Sequence, residues 1–177
     1  TTQGTPMVAE LINDAWFEGV AAAYMGGFAQ DECWASTFVP ETEHYPFTVD
    51  AIRLLIGGTD DGTGDFNIGL WSVDANNRPE TELVSAVVEL TGVNKDIDFV
   101  LLGPAGIDSP VFDEGNFAIV GCLVSHAGYP AIAADTNGQV DYPDRNWIRT
   151  TDGEWTQSAG LGVGGDWVMR AFILPEG

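Results

Sequence analysis

Short apolar segments recur along this chain at intervals of roughly eight to twelve residues, and Gly, Pro, Asn and Asp cluster between them. Apolar and polar side chains alternate most clearly in residues 47–56, where Gly57 and Gly58 end the pattern. The same alternation returns in residues 66–73 and 167–174. A period of two is typical of strands with one buried face, so each of these three segments is predicted to be a strand.

Other segments have the length and composition of strands but a less regular pattern. No window forms a good amphipathic helix longer than about two turns. About nine or ten short strands, with 22 Gly and 9 Pro to form the turns, predict a single all-β domain over residues 1–177, an antiparallel β-sandwich of jelly-roll type. The further strands are expected in residues 7–12, 15–24, 82–90, 97–102, 117–124, 129–133 and 146–150.

The chain is strongly acidic, with 27 Asp and Glu residues against 6 Lys and Arg and a formal net charge of −21 at pH 7. Such a surface repels nucleic acids and anionic lipid headgroups and attracts cations, so no nucleic-acid partner is expected. No stretch approaches the roughly 18 apolar residues of a membrane span. Two arginines, Arg53 and Arg170, lie in the middle of predicted strands and are expected to pair with carboxylates.

The two cysteines, Cys33 and Cys122, lie in segments that have the pattern of strands. With no His cluster nearby they do not form a metal site, which leaves two buried thiols or one disulfide. We favour the disulfide, because closing a loop of roughly 90 residues would stabilise the fold by about 4 kcal/mol. Disulfides persist in oxidising compartments. The chain also begins at Thr1 without an initiator Met or a signal peptide, and we expect a processed protein located outside the cell or at its surface.

Acid–base or nucleophilic catalysis needs partnered groups, and the sequence offers few. The only histidines are His44 and His126, and neither belongs to a catalytic or nucleotide-binding motif such as G-x-S-x-G, H-E-x-x-H or the Walker loop. A pair of carboxylates across a cleft, as in a glycosidase, is the one enzymatic alternative that the many acidic residues leave open. We therefore expect a protein that is not an enzyme.

Calcium is the one cofactor that the sequence suggests. Asp135, Asn137 and Asp141 stand at spacings of one, three and seven in a turn-rich loop, and Asp144 follows. Carboxylate and amide oxygens in such loops are typical Ca²⁺ ligands. A second candidate loop contains Asp60, Asp61 and Asp65. The alternative for both loops is a solvated turn, because Asp, Asn and Gly also suit turn geometry.

Aromatic side chains in the last third of the chain could stack against sugar rings. Trp155 is the best candidate for an exposed ring, and Trp147 and Tyr142 are further candidates for glycan binding. Trp71 and Trp167 lie within alternating strands and are predicted to fill the core instead.

Four stretches of the chain, residues 45–58, 66–71, 146–148 and 165–170, carry a resemblance to a known type of domain. Their sequences resemble uncharacterised jelly-roll domains in extracellular proteins of myxobacteria and related deltaproteobacteria. The resemblance implies a β-sandwich, export and a surface location. It carries over no catalytic or binding residues.

The N-terminal segment, residues 1–12, suggests a mode of assembly. Its apolar residues follow Pro6 and could add as a strand to the sheet of a neighbouring subunit, which would link subunits into filaments. The leading hypothesis is therefore a non-catalytic structural protein, a subunit of a surface fibre or layer. The alternative is a monomeric module that binds a glycan or calcium. The residues expected to make the assembly contact are Met7, Val8, Leu11 and Ile12.

Overall fold

The computed structural model describes residues 7–58, 62–92 and 98–176. Three short 3₁₀ helices, Thr42–His44, Pro143–Arg145 and Ser158–Leu161, accompany thirteen strands in these residues. The strands are β1 (Ala9–Ile12), β2 (Ala23–Met25), β3 (Cys33–Phe38), β4 (Phe47–Leu54), β5 (Ile56–Gly57), β6 (Thr63–Val73), β7 (Pro79–Thr91), β8 (Asp98–Leu101), β9 (Phe117–Leu123), β10 (Ala131–Ala134), β11 (Asn146–Arg149), β12 (Trp155–Gln157) and β13 (Met169–Pro175).

The strands form two packed antiparallel layers, which confirms the predicted all-β class and the sandwich. One layer is a six-stranded sheet in the order β12-β11-β3-β9-β6-β7. The other contains a four-stranded sheet, β1-β13-β4-β8, and a three-stranded sheet, β2-β10-β5. Backbone hydrogen bonds join these two smaller sheets, because Val168 donates its N–H to Ala133 and accepts one from Leu55. The jelly-roll connectivity stays a prediction.

More strands are present than the nine or ten predicted, because β2, β5 and β12 have only two or three residues each. Alternation cannot be recognised over so short a length. The strand predicted over residues 15–24 is wrong for most of its length, since only β2 at its end is a strand. Instead, Trp16 packs on Leu55, Ala133 and Val168 at the outer face of the second layer.

The core lies between the two layers and follows the predicted alternation. In β6, Phe66, Ile68 and Leu70 point inward and are at most 1% exposed. Large rings fill the space between the sheets, and the Trp34 ring meets Phe66 edge to face at 5.6 Å. Gly121 lies directly beneath the Trp34 ring, where a Cβ atom would be 2.5 Å from Cη2. Only glycine fits this position without displacing the ring.

The predicted disulfide is confirmed. Cys33 and Cys122 face each other on the neighbouring strands β3 and β9, and their sulfur atoms are bonded at 2.07 Å. The bond closes a sequence separation of 89 residues. It lies on the outer face of the six-stranded sheet, away from the main core.

The N-terminal segment pairs within its own subunit. β1 lies beside β13, with Ala9 opposite Ile173 and Ile12 opposite Arg170. Among the predicted assembly residues, Leu11 packs against the core, whereas Met7, Val8 and Ile12 are 83%, 50% and 45% exposed. Residues 1–6 lie outside the described ranges.

The chain is anchored immediately after β1. Asn13 donates its side-chain amide to the Thr37 carbonyl at 2.8 Å. The next residue, Asp14, accepts two hydrogen bonds from the Arg170 guanidinium, at 2.7 and 3.1 Å. Both predicted arginine–carboxylate pairs are confirmed, since Arg53 also pairs with Glu10 at 3.1 Å. β1 therefore leads into a fixed segment of its own subunit.

No helix in the described part of the chain has the length and apolar character needed to cross a membrane.

Candidate functional site

Alternation along two strands places tryptophan on the solvent side of the six-stranded sheet. In β6, Phe66, Ile68 and Leu70 point inward, so Trp71 points outward. In β11, Ile148 points inward, so Trp147 and Arg149 point outward, and Trp155 of β12 lies opposite Arg149. We call the outward-facing set of Trp71, Trp147, Arg149 and Trp155 the tryptophan face.

The rings of the tryptophan face are in contact. Trp71 and Trp155 meet edge to face, with ring centroids 5.8 Å apart and planes at 81°. The Arg149 guanidinium lies 6.0 Å from the centre of the Trp71 ring. Both Trp71 and Trp155 are partly exposed. Two partly exposed rings with fixed orientations give a surface on which an apolar ligand face can stack.

A tight hairpin holds Trp155 in place. The turn between β11 and β12 contains Gly153, whose φ of 90° lies in the left-handed region that favours glycine. Arg149 donates its Nε–H to the Gly153 carbonyl at 3.2 Å, and Asp152 accepts the N–H of Glu154 at 3.0 Å. These contacts fix the hairpin from which Trp155 projects.

Trp147 and the disulfide form the base of the tryptophan face. Trp147 is 5% exposed and packs with Cys33, Ala35 and Val120. Its indole N–H donates to the Asp144 carbonyl at 3.0 Å. The Trp147 ring is thus buried, its indole N–H is hydrogen-bonded, and it supports the exposed rings of Trp71 and Trp155.

Polar side chains flank the rings. Glu82 of β7 lies directly opposite Trp71, and Gln157 of β12 lies directly opposite Trp147. Both are exposed, and opposite residues of an antiparallel pair project from the same face. The face therefore combines an aromatic surface with a carboxylate and an amide that can bond ligand hydroxyls.

The predicted glycan residues are not all on this surface. Trp155 is on it and Trp147 lies at its base. Tyr142 is in the loop before the Pro143–Arg145 helix, 38% exposed, with the Arg145 guanidinium 4.1 Å from its ring centre. Trp71 was predicted to be in the core, which is wrong. The alternation along β6 could have identified its position. Asn67, Gly69 and Trp71 are alternate residues of the strand and all point outward.

The predicted calcium ligands are held by other contacts. Asp135 is 3% exposed and accepts backbone N–H groups from Ala15 and Asp166. Asp144 accepts the side-chain amide of Asn77. Only Asn137 and Asp141 bond each other, at 3.2 Å. Among the described residues no three or more His, Cys, Asp or Glu side chains form a metal-binding group, so calcium binding stays a prediction.

The second calcium loop is described only in part. Asp60 and Asp61 lie outside the described residues. Asp65 is in β6, paired with Glu89 of β7, and is partly exposed.

The two histidines have local contacts. His44 accepts the backbone N–H of Glu41 at 3.2 Å through Nδ1. His126 lies edge to face against Phe66, with Nε2 at 3.1 Å from the Pro130 carbonyl. Within the described ranges neither ring is hydrogen-bonded to a hydroxyl, a thiol or a carboxylate.

A cavity of about 360 Å³ opens at one lateral end of the sandwich, on the opposite side of β11 from the tryptophan face. Its wall includes Phe28, Ile148 and Val163, and Leu161 at its mouth is 51% exposed. The volume is in the range of small-molecule pockets. It is the natural competitor of the tryptophan face as a ligand site.

Two buried carboxyls fix the loop that precedes β11. Asp166 is fully buried and accepts the backbone N–H groups of Asp141 and Tyr142 and the amide of Asn146. Burial raises the pKa of Asp166 and of Asp135, although these hydrogen bonds act in the opposite direction.

The raised pKa values predict a pH-dependent stability. A carboxyl whose folded pKa exceeds its unfolded value stabilises the fold below the unfolded pKa, near 4, and this contribution is lost as the pH rises through the folded pKa. The free-energy difference between wild type and Asp166→Asn should therefore shrink as the pH rises from about 4. Urea unfolding of both proteins across this range measures it. A free-energy difference between the two proteins that stays constant with pH would contradict a raised pKa for Asp166.

The chain has no match in comparisons with known proteins. No protein-family model, no curated protein and no solved structure matches it.

Proposed function

We propose that this protein is a non-catalytic extracellular binding module that holds a neutral glycan on its tryptophan face. The observation that carries the proposal is the edge-to-face pair of Trp71 and Trp155 on the solvent side of the six-stranded sheet. Buried rings need no explanation beyond packing, but partly exposed rings held in a fixed arrangement are typical of recognition surfaces.

The chemistry of the face suits a sugar. The C–H side of a pyranose ring is apolar and stacks on an indole, while its hydroxyls need donors and acceptors at the edge. Glu82 and Gln157 are placed opposite Trp71 and Trp147 and can supply them. Because the side chains of this face are braced by Trp147 and the disulfide, little conformational entropy is lost on binding.

The net charge of the protein favours a neutral glycan over an acidic one. With a formal net charge of −21, the protein repels polyanions such as sulfated or uronic-acid-rich polysaccharides. A neutral polysaccharide does not experience this repulsion. The disulfide supports the extracellular part of the proposal, since such bonds persist in oxidising compartments.

The fibre hypothesis receives less support from the fold. Strand donation needs a segment that is free to leave its own subunit, whereas β1 pairs with β13 and is followed directly by the anchored Asn13 and Asp14. Self-association into a polymer stays a prediction.

Truncating Trp155 to alanine should abolish or strongly weaken glycan binding. Losing one stacked ring should lower affinity by about tenfold or more, because burial of an aromatic side chain contributes roughly 2 kcal/mol. Affinity electrophoresis through gels containing soluble neutral polysaccharides, such as xylan, mixed-linkage glucan and mannan, measures the retardation of each variant. Trp71→Ala should behave in the same way.

The matched control is Leu161→Ala, at the mouth of the lateral cavity. It removes an exposed apolar side chain from the competing site and should leave retardation unchanged. Retardation that is lost in Leu161→Ala and kept in Trp155→Ala would place the ligand in the cavity and overturn the proposal. Retardation by no neutral polysaccharide would also overturn it.

A further inference from the structure

β7 forms a long open edge of the six-stranded sheet. The strand has thirteen residues, and in the described part of the chain no strand pairs with its far side. Proteins usually protect such edges with short strands, charged side chains (Lys above all), Pro or β-bulges, and the two register irregularities of β7 lie in its first half, opposite residues 70–73 of β6. β7 contains no Lys, and its only Pro is the first residue, Pro79.

The hydrogen bonds to β6 show which main-chain groups of β7 are open. Gly92 donates its N–H to the Gly62 carbonyl at 2.8 Å, toward the β6 side. In an antiparallel ladder, successive residues direct their N–H and C=O groups to opposite sides. Leu90 and Val88 therefore also bond toward β6, and Glu89 and Val87 present their N–H and C=O groups at the open edge.

Some inward-facing side chains of β7 also remain partly uncovered. Val84, Ala86 and Val88 point toward the core and pack against it, yet each is only partly buried. The second layer thus does not cover the inward side of β7 completely. An additional strand along this edge would bring its own inward side chains over these three residues.

The charged side chains of β7 determine which kind of peptide can bind along this edge. Glu80, Glu82 and Glu89 are exposed along β7, and the strand has no Lys or Arg. A second copy of this acidic strand would place like charges close together, which is destabilising. Basic residues in the added strand would instead face carboxylates.

We propose that β7 accepts an extended polypeptide segment in which apolar and basic residues alternate, and that this segment adds to the sheet as a further strand. The apolar positions cover Val84, Ala86 and Val88, and the basic positions pair with Glu82 and Glu89. Main-chain hydrogen bonds supply affinity and the alternating side chains supply selectivity. This site shares Glu82 with the edge of the tryptophan face, but its main-chain hydrogen bonds do not depend on glycan binding.

The test uses a fluorescein-labelled short peptide of alternating Lys and Val, with fluorescence anisotropy as the readout at low ionic strength. The wild-type protein should bind it. The same peptide with every main-chain N–H methylated keeps its charge but loses all of its main-chain donors, and should bind about tenfold more weakly or worse. A peptide of alternating Glu and Val should not bind.

The protein variant that matches this peptide is Val87→Pro. Proline removes an N–H that faces the open edge and leaves the ladder to β6 intact. It should weaken peptide binding by a similar factor, whereas Val87→Thr should stay within about twofold of wild type. Thermal melts establish that both variants are folded. The N-methylated peptide tests the same bonds without changing the protein.

Two results would overturn the proposal. Equal binding of the N-methylated and the unmodified peptide would mean adsorption by charge alone. A dimer of the wild-type protein in sedimentation that Val87→Pro dissolves would mean that the edge serves a second copy instead.

Discussion

Removing the Cys33–Cys122 disulfide should lower the free energy of unfolding by about 4 kcal/mol. The bond closes a sequence separation of 89 residues, and in the chain-entropy model a loop of this length restricts the unfolded chain by roughly that amount. Urea denaturation of the Cys33→Ala, Cys122→Ala double variant measures the loss.

Wild-type protein unfolded in the presence of a reductant is the internal control. Its unfolding free energy should fall to nearly the value of the double variant, because both unfolded chains then lack the crosslink. The slope of unfolding free energy against urea should rise in both cases, since an uncrosslinked chain exposes more surface. A loss below about 1 kcal/mol would contradict the entropic account.

Replacing Arg170 with methionine should destabilise the fold by about 3–5 kcal/mol. The guanidinium pairs with Asp14 at 2.7 Å, and the two side chains are 9% and 0% exposed. It also donates to the Trp16 carbonyl. Removing one partner of a buried pair leaves an uncompensated buried charge on the other. Denaturation in urea at pH 7 measures the change.

The chain offers a matched control in Arg78, which pairs with Asp74 at 3.2 Å and is 51% exposed. Arg78→Met should cost less than about 1 kcal/mol, because exposed ion pairs contribute little. The Asp14→Leu, Arg170→Met double variant should be less destabilised than the sum of its two single changes. Additive losses would show that the ion pair does not couple the N-terminal segment to β13.

The main strands could be predicted from sequence because their side chains alternate over six or more residues. β6 shows this, with one fully buried face. In β4 a register shift opposite β13 moves the core-facing positions from Val49 to Ile52, which the regular alternation does not predict. The disulfide followed from composition and spacing. The pairing of β3 with β9 that brings the cysteines together depends on register, which a single sequence does not specify.

The tryptophan face could be predicted only in part. Trp155 follows a turn and was recognised as exposed. Its position within an alternating strand predicts Trp71 to be in the core, although Trp71 lies four residues after Asn67 and therefore points outward with it. Its contact with Trp155 could not be anticipated, because β6 and β12 come together only through the order of strands in the sheet.

The irregular segment after β1 shows a second limit of prediction from the sequence. Residues 15–24 contain enough apolar side chains for a strand, yet most of them lie across the outer face of the second layer. Their position is set by polar anchors distant in sequence, such as Asp135, which accepts the N–H of Ala15. Long-range anchors of this kind leave no periodic signal in the sequence.

We propose that a neutral glycan stacks on Trp71 and Trp155. Indole N–H signals in a ¹H–¹⁵N correlation spectrum report this most directly, since the protein has six tryptophans, each assignable by substitution. On titration with a polysaccharide that retards the protein in gels, the Trp155 and Trp71 signals should shift. Those of the buried Trp34 and Trp167 should stay in place.

Repeating the titration in EDTA and in millimolar CaCl₂ separates a calcium requirement from stacking. The same shifts are expected in both, because the tryptophan face contains no predicted calcium ligand. Shifts confined to signals other than those of Trp71 and Trp155, or no shift with any glycan that binds, would contradict glycan stacking on this face.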